Sequence, residues 1–237
     1  MNLDKKIEVF KKSLMKGTKQ KGYQRVLQGL KNTATIAVLG LLIGIVIGTL
    51  IAIVKVIPKR GWISKTLDKI VTVYVAFFRG TPMVVQLLLS YYVLFPLLGI
   101  KMSSLAVSIV VFGLNSGAYV SEIMRSGLLS VDPGQMEAGR ALGLGYGMTM
   151  WKIIVPQAVK NILPTLGNEF ITLIKETSVV SFVGAVDLYS VFNYIGSSNY
   201  EFMVPYLCMA IIYIVLVLII SGLVKLMERS LRASDKR

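Results

Sequence analysis

Residues 137–156 read Glu-Ala-Gly-Arg-Ala-Leu-Gly-Leu-Gly-Tyr-Gly-Met-Thr-Met-Trp-Lys-Ile-Ile-Val-Pro. This segment carries charges, spaced glycines and a proline, and it lies between two stretches with the composition of membrane helices. A loop of this length in a compact protein is usually functional or disordered, and this one is too apolar for disorder. We therefore interpret the loop at 128–154 as a docking surface for a partner on one side of a membrane.

Long uncharged runs indicate a membrane protein. Four runs lack any charged side chain: 33–54, 80–100, 103–121 and 202–224. Each is long enough to span a membrane, because about 20 apolar residues cross the roughly 30 Å hydrocarbon core. A weaker fifth candidate, 153–174, contains prolines, asparagines and Glu169. We predict an all-α integral membrane fold, a five-transmembrane-helix bundle with helices near 29–57, 66–98, 102–127, 155–175 and 203–227.

The distribution of basic residues predicts the orientation. Lys and Arg are frequent in 55–69, 125–152 and 225–237, whereas the opposite loops hold only Lys101 and Lys175. The positive-inside rule makes the first group cytoplasmic, including a tail at 231–237 after the membrane domain at 29–230. The basic N-terminal segment at 1–28 opposes this orientation, unless it lies flat on lipid as an amphipathic helix.

Composition excludes several other classes of protein. The net charge of +14 comes from helix ends and tails, which favours lipid contact over nucleic-acid binding. The chain has no histidine and one cysteine, so it offers no His-based triad, His-ligated metal or disulfide framework. Gly17 and Gly22 have phosphate-loop spacing, but Tyr23 stands where lysine is needed. We expect no catalytic residue, metal or cofactor in this chain, and any energy for transport must come from elsewhere.

Polar side chains recur along three predicted helices. The stripes are Arg79, Met83, Gln86 and Ser90; then Ser104, Ser108, Asn115, Tyr119 and Glu122; then Asn161, Thr165, Asn168 and Thr172 beside Glu169. Because polar residues in a span are costly, they indicate a hydrated interior. The alternative is interhelical hydrogen bonding, worth roughly 0.5–2 kcal/mol per contact. Glu122 and Arg125 can also pair with each other at i, i+3.

Helix one presents Gly40, Gly44 and Gly48 at every fourth residue. Glycine at this spacing lines one helical face and lets another helix approach closely. We therefore predict a packing face on helix one.

The loop resembles a known family. Glu137-Ala138-Gly139, three residues, Gly143, nine residues, Ile153, one residue and Val155-Pro156 resemble the EAA loop of ATP-binding-cassette importer permeases. Gly139 and Val155 replace the family's Ala and Leu. The segments at 78–86, 115–123 and 163–178 are similar to the polar amino-acid uptake subfamily.

This resemblance implies a prokaryotic cell-membrane subunit of an ATP-driven amino-acid importer, without enzymatic activity of its own. Its loop would dock on a cytoplasmic ATPase subunit, present in two copies, that binds ATP and Mg. The implied docking residues are Glu137, Ala138, Gly139, Gly143 and Pro156, of which Glu137 and Gly143 would set the turn between two short helices. Other implied partners are an extracytoplasmic binding protein and a second permease subunit, identical or related.

Substrate-lining residues are a weaker implication of the same resemblance. The candidates are Gln86, Asn115, Glu169, Thr81 and Arg79. A carboxylate in a cavity of low dielectric constant favours a cation, so Glu169 suggests a basic amino acid. The alternative functions are an ion-coupled secondary transporter acting alone, an integral-membrane enzyme and a membrane scaffold.

Overall fold

The computed structural model describes residues 2–15, 21–58 and 61–233, and all regular structure within them is helical. The predicted all-α fold is therefore confirmed. Gly22–Val56, Ser104–Leu129 and Met203–Leu231 are each long and apolar enough to cross a membrane. Two bent helix pairs raise the number of candidate spans to as many as five. Parts of the predicted N-terminal segment (residues 1 and 16–20) and of the tail (234–237) lie outside the described residues.

The described residues form eleven α-helices, in chain order. They are α1 (Leu3–Met15), α2 (Gly22–Val56), α3 (Trp62–Gly80), α4 (Met83–Leu89), α5 (Phe95–Leu97), α6 (Ser104–Leu129), α7 (Gly134–Ala141), α8 (Tyr146–Thr149), α9 (Val155–Glu176), α10 (Leu188–Asn199) and α11 (Met203–Ala233). π-helical turns join α4 to α5 and α8 to α9, and a 3₁₀ turn, Thr177–Val183, follows α9.

The helix predicted over 66–98 is not continuous. It is interrupted at Thr81 and Pro82, between α3 and α4. Pro82 has no backbone N–H, and its ring disfavours a helical conformation at the preceding residue. The predicted stripe that begins with Arg79 and continues through Met83 and Gln86 therefore does not lie on one helical face.

Both π-helical turns lie just before a proline. Ser90–Leu94 precedes Pro96, and Met150–Ile154 precedes Pro156. A proline ring clashes with the carbonyl four residues earlier. The helix widens there, and the residue before each proline donates five residues back: Phe95 N–H to the Ser90 carbonyl, and Val155 N–H to the Met150 carbonyl.

The chain forms two compact units. The first comprises Met1–Gly40, Thr81–Phe112 and Thr172–Ile219, and the second comprises Leu41–Gly80, Gly113–Ile171 and Ile220–Arg237. In the first unit, α10 begins with Asp187, whose carboxylate accepts the backbone N–H groups of Tyr189 and Ser190 at 2.9 Å each. This capping box starts a helix that the sequence analysis left in a loop.

Helix α1 packs against α10 in the first unit. The rings of Phe10 and Phe192 lie 6.4 Å apart, so the apolar face of α1 packs partly against α10. Lys6 Nζ lies 3.1 Å from Glu201 Oε1. Burial raises the pKa of Glu201, but the hydrogen bonds from Lys6 and the Val204 N–H outweigh it and hold that pKa below its ordinary value. The contribution of this ion pair is thus present above pH ~4.3 and is lost as pH falls through the lowered pKa.

In the second unit, α2 and α6 pack through reciprocal glycines. A Cβ at Gly48 would lie 2.6 Å from Val120 Cγ1. In the opposite direction, a Cβ at Gly117 would lie 2.7 Å from Ile47 Cγ2. On each helix, a glycine therefore leaves the space that a side chain of the other helix fills. The spacing of Gly44 and Gly48 predicts this close packing.

We expect Gly48→Ala to destabilise the protein, because the added methyl group also meets the Ser121 backbone N at 2.8 Å. Overpacking of this kind costs about 1–3 kcal/mol, so the melting temperature in detergent should fall. Gly222→Ala is the matched control, since its Cβ meets nothing within 4 Å. Equal melting temperatures for the two variants would contradict the close approach of α2 and α6.

Candidate functional site

The loop between the third and fourth predicted spans contains two short helices, α7 and α8, joined by a tight turn. Leu144 N–H donates to the Gly139 carbonyl and Gly143 N–H donates to the Arg140 carbonyl, both at 3.0 Å. This is a Schellman motif, which ends a helix with a residue in the left-handed region. Gly143 has a φ of +77°, so the glycine is required by the backbone.

Gly139 permits the close approach of α7 and α8. A Cβ at this position would lie 2.5 Å from Cγ2 of Thr149, which is fully buried. The alanine that the family pattern places here would not fit without a shift of Thr149. The departure at Gly139 therefore has a steric reason in this chain.

The outer surface of the loop is largely exposed. Glu137, Ala138, Gly143 and Pro156 are exposed, and only Gly139 of the five predicted docking residues is buried. Large apolar side chains accompany them: Leu142 is 79% exposed and Trp151 is 74% exposed. These two residues were not among the predicted docking residues, although apolar residues within a polar loop were the available signal. Exposed apolar groups among charges indicate a protein-binding surface.

The inner surface of the loop is fixed to the second unit. Met136 of α7 and Met150 pack on a buried cluster formed by Val120, Val131, Ile154, Ala158, Ile162 and Leu166. Asn161 Nδ2 also donates to Ser130 Oγ at 2.8 Å. A force applied to α7 would therefore act on α6 and α9 through a packed core.

We expect Gly143→Val to impair transport more than insertion into the membrane. A β-branched residue at positive φ is strained, by about 1–2 kcal/mol or more, and the turn between α7 and α8 would change. Gly145→Val is the matched control, because Gly145 has a φ of −65° and open space around it. ATP-driven uptake should fall only for Gly143→Val, and equal activity of both variants would contradict a role for the turn.

Asn115 supports the end of α3. The Phe78 carbonyl would pair with the N–H of residue 82 in a continuous helix, but Pro82 has none. Asn115 Nδ2, on α6, donates to that carbonyl at 3.3 Å, and Asn115 is only 5% exposed. Beside it, the Arg79 guanidinium carbon lies 5.5 Å from the centre of the Tyr119 ring. Asn115 therefore contacts the end of α3 that carries Arg79.

Glu169 connects two helices in the second unit. Ser116 Oγ of α6 donates to Glu169 Oε1 of α9 at 2.9 Å. Ser116 itself packs against Gly44, where a Cβ would lie 2.6 Å from its Oγ. The half-buried carboxylate therefore has a partner within the protein. Glu122 and Arg125 pair at 3.6 Å, as their spacing predicts.

Gln86 and Thr81 lie together in the first unit. Gln86 Nε2 donates to the Thr81 carbonyl at 3.0 Å and to Thr81 Oγ1 at 2.9 Å, and Gln86 is 3% exposed. The pair therefore stabilises the start of α4 after the interruption. Roles for all five candidates in substrate binding remain predictions. The described residues hold no group of three or more acidic, cysteine or histidine side chains that could bind a metal.

Comparisons with known proteins identify the chain. The sequence model of the family described as "Binding-protein-dependent transport system inner membrane component" matches residues 40–233. The arginine transport system permease protein ArtQ of Bacillus subtilis is 39% identical over 210 residues, which cover 89% of this chain and 94% of that protein. The putative glutamine transport system permease protein GlnP of Rickettsia conorii is 38% identical over 206 residues, covering 87% and 92%.

Solved structures of transporters also match the fold of this chain. The crystal structure of an amino acid ABC transporter with histidines matches with a TM-score of 0.81 at 39% identity, covering 88% of this chain and 94% of that one. The inward-facing MetNI methionine ABC transporter matches with a TM-score of 0.74 at 20% identity, covering 88% and 96%, and shows the fold alone.

The fold and these matches define a multi-pass membrane subunit of a transport system. The chain belongs to the family of inner membrane components of binding-protein-dependent transport systems, and it is a permease subunit of an ABC importer. The prediction of an ATP-binding-cassette permease is therefore confirmed over an ion-coupled transporter acting alone.

Proposed function

We propose that this chain forms half of the translocation path of a bacterial amino-acid importer, and that the exposed loop at 128–154 transmits force from a cytoplasmic ATPase subunit. The observation that carries the proposal is the two-sided construction of the loop. Leu142 and Trp151 are exposed beside Glu137, whereas Met136 and Ile154 belong to the core of the second unit. A surface of this kind suits a partner that pushes on it.

The other components follow from the same proposal. Two ATPase subunits bind ATP and Mg and close on each other during each cycle of ATP hydrolysis. A second permease subunit completes the path, and an extracytoplasmic binding protein delivers the cargo. The docking residues are Glu137, Ala138, Gly143 and Pro156, and Gly139 supports them by leaving space for Thr149.

The proposed cargo is an amino acid with a cationic side chain. Glu169 is a half-buried carboxylate on a predicted membrane helix, where a charge of this sign attracts a cation. A relative at 39% identity carries the name of an arginine transport system.

The test is reconstitution in liposomes with candidate ATPase and binding-protein subunits. Uptake of radiolabelled arginine should require internal ATP and should persist when ionophores collapse the ion gradients. Uptake that stops with the gradients and continues without the ATPase would contradict the proposal. Glutamine and aspartate serve as neutral and acidic comparison substrates in the same assay.

A further inference from the structure

Helix α1 lies outside the part of the chain that the family model matches, which begins at residue 40. Nevertheless, it is held firmly in the first unit. Besides the Lys6–Glu201 ion pair at 3.1 Å, Asn199 Nδ2 of α10 donates to Ser13 Oγ at 2.8 Å. Glu201 is only 8% exposed. These contacts fasten both ends of α1 across α10 and the start of α11.

Together with α2, α10 and α11, α1 forms the walls of an apolar cleft. The cleft has a volume of about 530 Å³. Its lining includes Phe10, Leu14, Leu27, Phe192, Cys208 and Ile211, and none of the described residues that line it is charged. Ile211, on the spanning helix α11, is 59% exposed, so the cleft is open on the side of that helix.

Hydrocarbon is the expected occupant of such a cleft. Water would find no hydrogen-bond partners there, and a void would lose dispersion contacts along its whole lining. An acyl chain supplies those contacts. The charge of the N-terminal segment indicates the class of lipid that supplies this acyl chain. Residues 1–31 contain nine Lys or Arg but only Asp4 and Glu8 as acids. Lys11 is exposed and follows Phe10 in the sequence. Lys21 is also exposed and lies two residues before Tyr23.

We propose that this cleft binds one acyl chain of an anionic phospholipid, that α1 is the clasp that closes it on one side, and that Lys11 and Lys21 contact the headgroup phosphate. The basic segment then has a role in lipid binding in addition to its contact with α10. Lipid composition would thereby affect the packing of α10 and the start of α11, because α1 contacts both.

Cys208 provides a built-in reporter, because it is the single cysteine of the chain and it lines the cleft. The complete transporter is placed in nanodiscs of phosphatidylcholine, with or without phosphatidylglycerol. Alkylation of Cys208 by N-benzylmaleimide is then followed by mass spectrometry of this chain. Phosphatidylglycerol should slow the alkylation about fivefold or more. Equal rates in the two kinds of disc would overturn the assignment to an anionic lipid.

Two sets of variants test the cleft and the clasp. Ile211→Trp fills the cleft. In native mass spectrometry, this variant should therefore retain one phosphatidylglycerol molecule fewer than the wild type. Val215→Trp, one turn further along α11 and outside the lining, should retain it. Glu201→Gln should restore fast alkylation in phosphatidylglycerol discs, and Lys6→Glu combined with Glu201→Lys should slow it again. Retention of the lipid by Ile211→Trp, or slow alkylation in Glu201→Gln, would count against the proposal.

Discussion

Glu137→Lys is expected to abolish ATP-driven uptake while leaving the membrane domain folded. Glu137 is exposed in the first turn of α7, and α7 is anchored by other residues, Met136 and Gly139. Reversing a charge within a docking surface places like charges together or removes a pair, which costs several kcal/mol. A loss of about 3 kcal/mol weakens association roughly 100-fold. Co-purification of the ATPase with the tagged chain, and uptake in liposomes, measure the two effects.

The matched control is Glu8→Lys, the same charge reversal in α1. Glu8 is 63% exposed and pairs with Lys12 at i, i+4, a contact that solvent screens. Glu8→Lys should therefore bind the ATPase as the wild type does. Normal ATPase binding and uptake by Glu137→Lys would remove Glu137 from the docking surface, and failure of both variants would indicate a general loss of folding.

The sequence predicted the features that depend on local composition. Uncharged runs predicted α2, α6 and α11, and the spacing of Gly44 and Gly48 predicted a close helix contact. The capping box at Asp187 was also readable, since Asp187 and Ser190 precede Val191, Phe192 and Ile195 at helical spacing. Its position between two predicted spans led to the assignment of a loop.

Other features depended on distant contacts. Pro82 predicts disturbance of a helix, but whether the helix kinks or breaks depends on which group donates to the freed carbonyl of Phe78. Here the donor is Asn115 of α6. Likewise, Gln86 lay on a predicted polar stripe, but its amide turns back to Thr81. Polarity in a span therefore predicted that these side chains have partners, without distinguishing a protein partner from a substrate.

Within the second unit, the loop at 128–154 and Glu169 are joined by one buried row of side chains. Ile154, at the end of the π-helical turn, and Ala158, Ile162 and Leu166 of α9 recur every four residues and pack with Val120 of α6. Glu169 follows on the same helix and is bonded to Ser116 of α6. Because both helices carry the loop at one end, a displacement of α7 can alter the environment of the Glu169 carboxylate. Under the proposed function, this row of side chains connects the loop that receives the force to the carboxylate that binds the cargo.

Glu169→Gln therefore separates a cargo-binding charge from an interhelical hydrogen bond. Glutamine keeps an oxygen that can accept from Ser116, but it lacks the charge that would attract a cationic substrate. Loss of a buried charge pair costs about 2–3 kcal/mol, so arginine and lysine uptake should fall roughly 30- to 150-fold, while glutamine uptake changes little.

Ser116→Ala is the control for this substitution, because it removes the 2.9 Å hydrogen bond and keeps the carboxylate. If Glu169 only holds α6 to α9, then Ser116→Ala should impair uptake of every substrate and Glu169→Gln should be tolerated. If Glu169 binds the cargo, the loss should follow the charge of the substrate and appear only in Glu169→Gln. Arginine uptake that is unchanged in Glu169→Gln would rule out the cationic-cargo assignment, whatever the outcome for the loop.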